Sequence, residues 1–207
     1  MLLRCTTRLL ELLGDPVTED RPASPEDWYA NVLWVQRRKC LLVTHAGTLF
    51  SVFAPAVRAA DLRPLGEFVA PLITHQLLAE GFPSDALGRL DPAQATIART
   101  TDRQVLGCMN DLSLACHQAA TDAGSLTRLD LQALDQWLQR NITFARNYVP
   151  PVDLLAVKLR QPRRLDEHTS APAEGEAQAD AGRFGHLPAV NAPIAVLSGY
   201  YSEPPQR

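Results

Sequence analysis

Lysine is nearly absent from this chain: of 20 basic residues in a sequence of 207, only Lys39 and Lys158 are lysines. An arginine bias follows from a GC-rich genome as readily as from a need for planar, two-pronged donors, so by itself it points to no ligand. Cysteine is scarce too. Cys5, Cys40, Cys108 and Cys116 stand 35, 68 and 8 residues apart with no C-x-x-C pair, which excludes the spacing of a zinc site and of a small disulfide scaffold. No apolar run approaches the roughly 18–20 residues that span a bilayer. The opening Met1-Leu2-Leu3-Arg4-Cys5-Thr6-Thr7-Arg8 sets arginines where a signal peptide needs an apolar stretch, and no small-residue cleavage site follows, so a cytoplasmic protein is expected. Excess positive charge is lacking: the formal net charge of −3 argues against a strongly basic nucleic-acid binder. Phosphate-loop, dinucleotide, zincin and nucleophile-elbow motifs are missing as well, and no cofactor or metal is expected.

The net charge conceals an uneven distribution. Residues 1–164 hold 18 Lys and Arg against 17 Asp and Glu, a net +1, whereas residues 165–207 hold two arginines against six acids, a net −4. Composition shifts at the same place. The pattern predicts a single folded domain over 1–159, an acidic Pro/Ala-rich linker over 160–193 that cannot repay the entropy of ordering, and an apolar segment over 194–207. Ile194-Ala195-Val196-Leu197 and Tyr200-Tyr201 in that last segment read as a terminal strand docking on the body, as a disordered end, or as a partner-binding peptide.

Within the domain, Met1 to Cys5 reads as a strand, followed by a short leucine helix that Gly14 ends. Asp15 to Asp27, rich in acids and prolines, reads as a solvated loop. Trp28 to Gln36, Cys40 to His45 and Thr48 to Phe53 form an antiparallel meander punctuated by Arg37-Arg38-Lys39 and Ala46-Gly47. Alternation puts Tyr29, Asn31, Leu33 and Val35 on one face and Trp28, Ala30, Val32, Trp34 and Gln36 on the other. The period then lengthens to 3.6, predicting a helix over Leu62 to Leu77 kinked at Pro71, a strand at Ala95 to Ala98, and helices over about 102–122 and 129–139. Grouped rather than alternating elements predict an α+β fold, an antiparallel or mixed sheet of about five strands packed by two or three helices, with a low-complexity C-terminal tail.

Two polar groups stand out. Thr101 and Gln104 have capping-box spacing, and Arg99 and Arg103 beside a helix start would suit a phosphate or carboxylate; the plainer reading is that Thr101 caps and the arginines pair with acids such as Asp102. On that helix Val105, Met109, Leu112, Cys116 and Ala119 face the core, while Arg103, Gly107, Asn110 and Leu114 face away with Asp111 near them. A glycine there suggests a close neighbour: the C-terminal segment, a ligand or another subunit. The second group is Asn31 with Arg37, Arg38 and Lys39, the densest basic cluster, near Trp28, Tyr29 and Trp34, which stack on bases if exposed.

The blocks Arg4-Cys5-Thr6, Trp28 to Leu33, Arg37 to Leu42, Thr48 to Phe53 and Arg99 to Asp111 resemble the motifs of a prokaryotic domain-of-unknown-function family over about residues 1–140. That resemblance implies one folded domain and supplies no activity, cofactor or catalytic residue. From the residues, the first functional expectation is a non-enzymatic module that binds nucleic acid or a phosphate-bearing ligand. Arg37, Arg38, Lys39, Arg99, Thr101 and Arg103 would hold the ligand, with Asn31, Asn110 and Asp111 orienting it. The alternatives are a small toxin-like nuclease or nucleotide-processing enzyme with His45 or Asp111 as general base, His45 being expected at a surface hairpin tip, and a protein–protein module such as a homodimer.

Overall fold

The computed structural model describes residues 1–14, 17, 19, 21–141 and 149–160. The expected linker and C-terminal segment lie outside these residues. The chain runs β1 (Leu2–Cys5), α1 (Thr7–Leu13), β2 (Trp28–Val35), β3 (Arg38–His45), β4 (Ser51–Ala54), α2 (Leu65–Ala79), a 3₁₀ turn (Pro92–Gln94), β5 (Thr96–Arg99), α3 (Arg103–Asp122), α4 (Leu131–Arg140) and α5 (Pro151–Arg160). This is the α+β fold that the grouped elements predict, with a five-stranded mixed sheet in the order β4-β3-β2-β1-β5. β2, β3 and β4 form the antiparallel meander, and β1 lies parallel to both β2 and β5, with Leu3 opposite Trp28 and Ile97. α5 is the helix that the sequence pattern did not announce, and α2 continues through Pro71 without interruption.

Alternation along β2 sorts the core as expected. Trp28, Ala30 and Val32 face a cluster completed by Leu9, Leu10 and Leu13 of α1 and Leu65, Val69, Ile73 and Leu77 of α2. Tyr29, Leu33 and Val35 face a second cluster with Val105, Met109, Leu112 and Cys116 of α3 and Leu134 and Leu138 of α4. Helices therefore cover both faces, and each buried leucine removes enough apolar surface to stabilise the fold by about 1.5–3 kcal/mol.

Both sheet edges are occupied by polar groups. On β5, the Glu19 backbone amide donates to the Ile97 carbonyl at 3.1 Å. On β4, the Gln139 side-chain amide takes the place of a neighbouring strand: Ser51 N–H donates to its Oε1, and its Nε2 donates to the Ser51 carbonyl. One turn earlier, Asp135 meets the Phe53 backbone amide. Satisfying edge groups in this way removes the template on which another chain could pair.

The Asp135 arrangement makes stability depend on pH. Burial pushes its carboxyl up to about 6; the Phe53 amide pulls the other way and the Glu80 carboxylate adds to the rise. One of its oxygens, Oδ1, is buried with no hydrogen-bond partner among the described residues. Below about pH 4 the carboxyl is neutral in both folded and unfolded chains and costs nothing. Between about pH 4 and 6 the unfolded chain ionises first, so stability falls, and the loss is complete above the folded value. Asp135→Asn keeps the shape and the acceptor for Phe53 without the charge. It is expected to stabilise the domain by about 1–2 kcal/mol at pH 8, after discounting for partial solvent screening, with the gain vanishing near pH 4. Urea denaturation across that range measures it, and a gain independent of pH would contradict the assignment.

The loop before β2 departs from expectation. It is not uniformly solvated, because Asp27 is fully buried against Arg4 of β1, 2.6 Å from Arg4 Nε. Arg4 Nη1 donates to the Arg99 carbonyl and Thr101 Oγ1, and Nη2 to the carbonyls of Arg21 and Pro22. Every N–H of the guanidinium is thus used in holding the loop over the carboxyl ends of β1 and β5.

Candidate functional site

The start of α3 is built one residue later than the capping-box spacing suggests. Asp102, not Thr101, is the N-cap: its Oδ1 accepts from the amides of Gln104 and Val105, while Thr101 Oγ1 accepts from Arg4. Tyr29, fully buried on β2, accepts the Asp102 N–H with its hydroxyl oxygen at 3.2 Å and so fixes where the helix begins. Arg99 and Arg103 are exposed and form no ion pair among the described residues, so the pairing with Asp102 that the plainer reading expects is not seen. Asn31, half-buried on β2, has the partner its place requires, accepting from Thr6 Oγ1 at 2.9 Å.

The hairpin joining β2 and β3 is tighter than the basic triplet suggests. Its two-residue turn is Gln36-Arg37, both left-handed with φ of 46° and 65°, and Arg38 and Lys39 already belong to β3. Left-handed pairs in such turns favour asparagine and glycine, and a longer side chain costs about 1–2 kcal/mol there. Gln36 offsets that cost: its Nε2 donates to the Ala120 carbonyl at 2.9 Å and its Oε1 accepts the Leu126 amide at 2.8 Å. Arg37 makes no comparable contact among the described residues.

These anchors give the relative position of the two basic groups. Arg103 opens α3 at the Tyr29 end of β2, while Gln36 grips the same helix at Ala120. Seventeen residues of helix at 1.5 Å each separate the two ends, about 25 Å. Arg99, Thr101 and Arg103 share one end, and Arg37, Arg38 and Lys39 share the other. Among the described residues the two groups stand at opposite ends of α3.

Histidine and acid candidates fall elsewhere. His45 is fully buried rather than at a surface tip, its Nδ1 3.0 Å from Thr48 Oγ1 and its ring edge-on to Trp28 with centroids 5.0 Å apart. The loop from Ala46 to Phe50 folds back over it. Asn110 and Asp111 are exposed midway along α3. Gly107 between them and Arg103 has nothing within 4 Å of where a Cβ would stand, so no described residue presses on it. Among the described residues no group of three or more His, Cys, Asp and Glu is placed to hold a metal, and no helix is long and apolar enough to cross a membrane.

The hairpin end carries features that the charge pattern alone does not reveal. Trp28 and Tyr29 are buried, but Trp34 is 49% exposed, with Lys39 Nζ 4.8 Å from its ring centroid. Beside it lies a shallow groove of about 270 Å³ lined by Arg8, Glu11 and Leu12 of α1 and Val32, Trp34 and Lys39 of the sheet. Arg8 enters the candidate set only because α1 lies over β2. A larger cleft of about 450 Å³ between α1 and the α2 entry is lined mostly by apolar side chains, and its Arg63 donates to the Leu12 carbonyl as a helix C-cap.

A family model described as a domain of unknown function (DUF6933) matches residues 2–154. The chain belongs to this family. The match takes in all five described β-strands and both basic groups of the DUF6933 domain, and stops within α5. A search of curated proteins finds no match.

Proposed function

We propose that this DUF6933 domain is a binding module for a phosphate-bearing ligand, and that the hairpin end is its site. The observation that carries the reading is the half-exposed Trp34, set in a groove with Arg8 and Lys39 beside the turn that carries Arg37, three cations with Glu11 as the acid lining the groove; Arg38, opposite Val35 in the ladder, projects from the α3 face of the sheet. An arginine at a left-handed turn position, where glycine is about 1 kcal/mol easier, supports a use for the Arg37 side chain. The catalytic alternative has no comparable support. His45 lies opposite Trp28 at the other end of the meander, and Asp111 lies on the outward side of α3, so neither candidate base stands beside the hairpin cations.

Calorimetric titration with inorganic tripolyphosphate at low salt tests the reading. Arg37→Ala combined with Lys39→Ala is expected to weaken binding about tenfold or more, and Arg99→Ala combined with Arg103→Ala to leave it unchanged, with wild-type affinity falling as salt rises. The opposite ranking, or no binding by the wild-type chain, overturns it.

A further inference from the structure

Resting on the hairpin reading, we infer that the ligand is a single-stranded nucleic acid, one of whose bases stacks on Trp34 while its phosphates lie on Arg8, Arg37 and Lys39. Three observations converge. First, the exposed indole is a platform rather than a pocket wall. Lys39 sits over its ring, a position that a base can take over while the ammonium moves to an adjoining phosphate.

Second, the groove is open and holds only about 270 Å³, below the roughly 300–1,000 Å³ of pockets that enclose a small ligand. A lone nucleotide would be held by one stacked face and little else. A polymer gains further contacts, because the cations are spread over α1, the turn and β3. Third, the anionic groups restrict how the strand lies. Glu11 in the groove repels phosphate and offers an acceptor to a base amino group, so the base goes in and the backbone runs along the rim. On the opposite sheet face, α3 ends with its carbonyls and Asp122 near Gln36, a negative end that turns a polyanion toward the α1 face. Leu12 gives the base and sugar an apolar edge. A duplex keeps its base faces stacked inside and cannot use the indole.

Fluorescence anisotropy of the full-length chain with labelled 12-nucleotide single strands, one of DNA and one of RNA, tests this. Trp34→Ala is expected to weaken binding about tenfold or more, and Trp34→Phe to restore part of it, because stacking survives in a smaller ring. Duplex of the same sequence is expected to bind at least about tenfold more weakly, and AMP at equal nucleotide concentration not to compete. The DNA and RNA arms decide between the two sugars. Duplex binding as tight as single strand, or Trp34→Ala binding as tightly as wild type, overturns the inference. If tripolyphosphate binding still depends on Arg37 and Lys39 in that case, the anion-binding reading stands alone; if it does not, both fall. Trp34 is half in solvent, so both variants are expected to melt within about 2 °C of wild type, which separates lost binding from lost folding.

Discussion

Asp27→Ala is expected to destabilise the domain by about 3–5 kcal/mol, a large share of the 5–15 kcal/mol that ordinary domains possess. The reason lies in what the substitution leaves behind. Arg4 is 1% exposed and loses its counter-charge, while a charge stranded in a low-dielectric interior costs far more than the pair ever contributes. Asp27 also accepts from the Ser24 amide at 2.9 Å and from Arg21 Nη2 at 2.8 Å, so the loop before β2 loses its anchor too. Replacing both partners by apolar residues is not expected to restore stability here, because Arg4 also serves the carbonyls of Arg21, Pro22 and Arg99. Arg21→Ala, which removes only the half-exposed arm of the network, is expected to cost below about 1 kcal/mol. Urea denaturation distinguishes these cases. A loss below 1 kcal/mol for Asp27→Ala would mean that water reaches the guanidinium.

The second large effect concerns one substitution with opposite signs at two helical glycines. On propensity alone, alanine improves either helix by up to about 1 kcal/mol. At Gly66, in the first turn of α2, the new Cβ would stand 2.4 Å from the Ala95 Cβ and 2.6 Å from the Pro92 carbonyl oxygen. Backbone is the obstacle, so the helix must shift from the 3₁₀ turn that leads into β5. Gly66→Ala is expected to cost about 2–3 kcal/mol and to lower the melting temperature by about 4–10 °C. Gly107→Ala meets open space and is expected to add about 0.5–1 kcal/mol, raising it by about 1–4 °C. Thermal denaturation of the two variants side by side checks both signs.

These two glycines show where the sequence stops being informative. The long helix and its core stripe are legible from period alone, and a glycine on the outer stripe reads as a sign of a close neighbour. The neighbour is in fact at Gly66, where nothing local marks it, because the contact comes from residues about thirty positions away. Arg4 is a similar case: an arginine in an apolar strand demands a partner, but Asp27 is one of five acids from Asp15 to Asp27, and only the fold selects it. The cap of α3 is misplaced by one because Thr101 and Asp102 are both good caps, and the Tyr29 hydroxyl decides between them. α5 begins at the second of two prolines, Pro151, a first-turn position that suits it, but its ten residues give too little periodicity to be recognised.

The candidate site was partly legible. The basic triplet, the strands around it and the stacking potential of the neighbouring aromatics all follow from residue type and alternation. Alternation also puts Trp28 and Trp34 on the same sheet face. What separates them is how far the covering helices reach along β2: Trp28 lies within the core cluster of α1 and α2, while Trp34 is left half in solvent. The placing of the two arginine groups at opposite ends of α3 was likewise out of reach, because it depends on which end of a 20-residue helix the hairpin grips.

Mapping backbone and indole NMR shifts of the full-length chain on adding a 12-nucleotide single strand tests the central claim most directly. The predicted result is movement of the Trp34 indole N–H and of the amides of Arg8, Glu11 and Arg37 to Lys39, with Arg99 to Arg103 unmoved. Shifts confined to Arg99 to Arg103, or none anywhere, would contradict it.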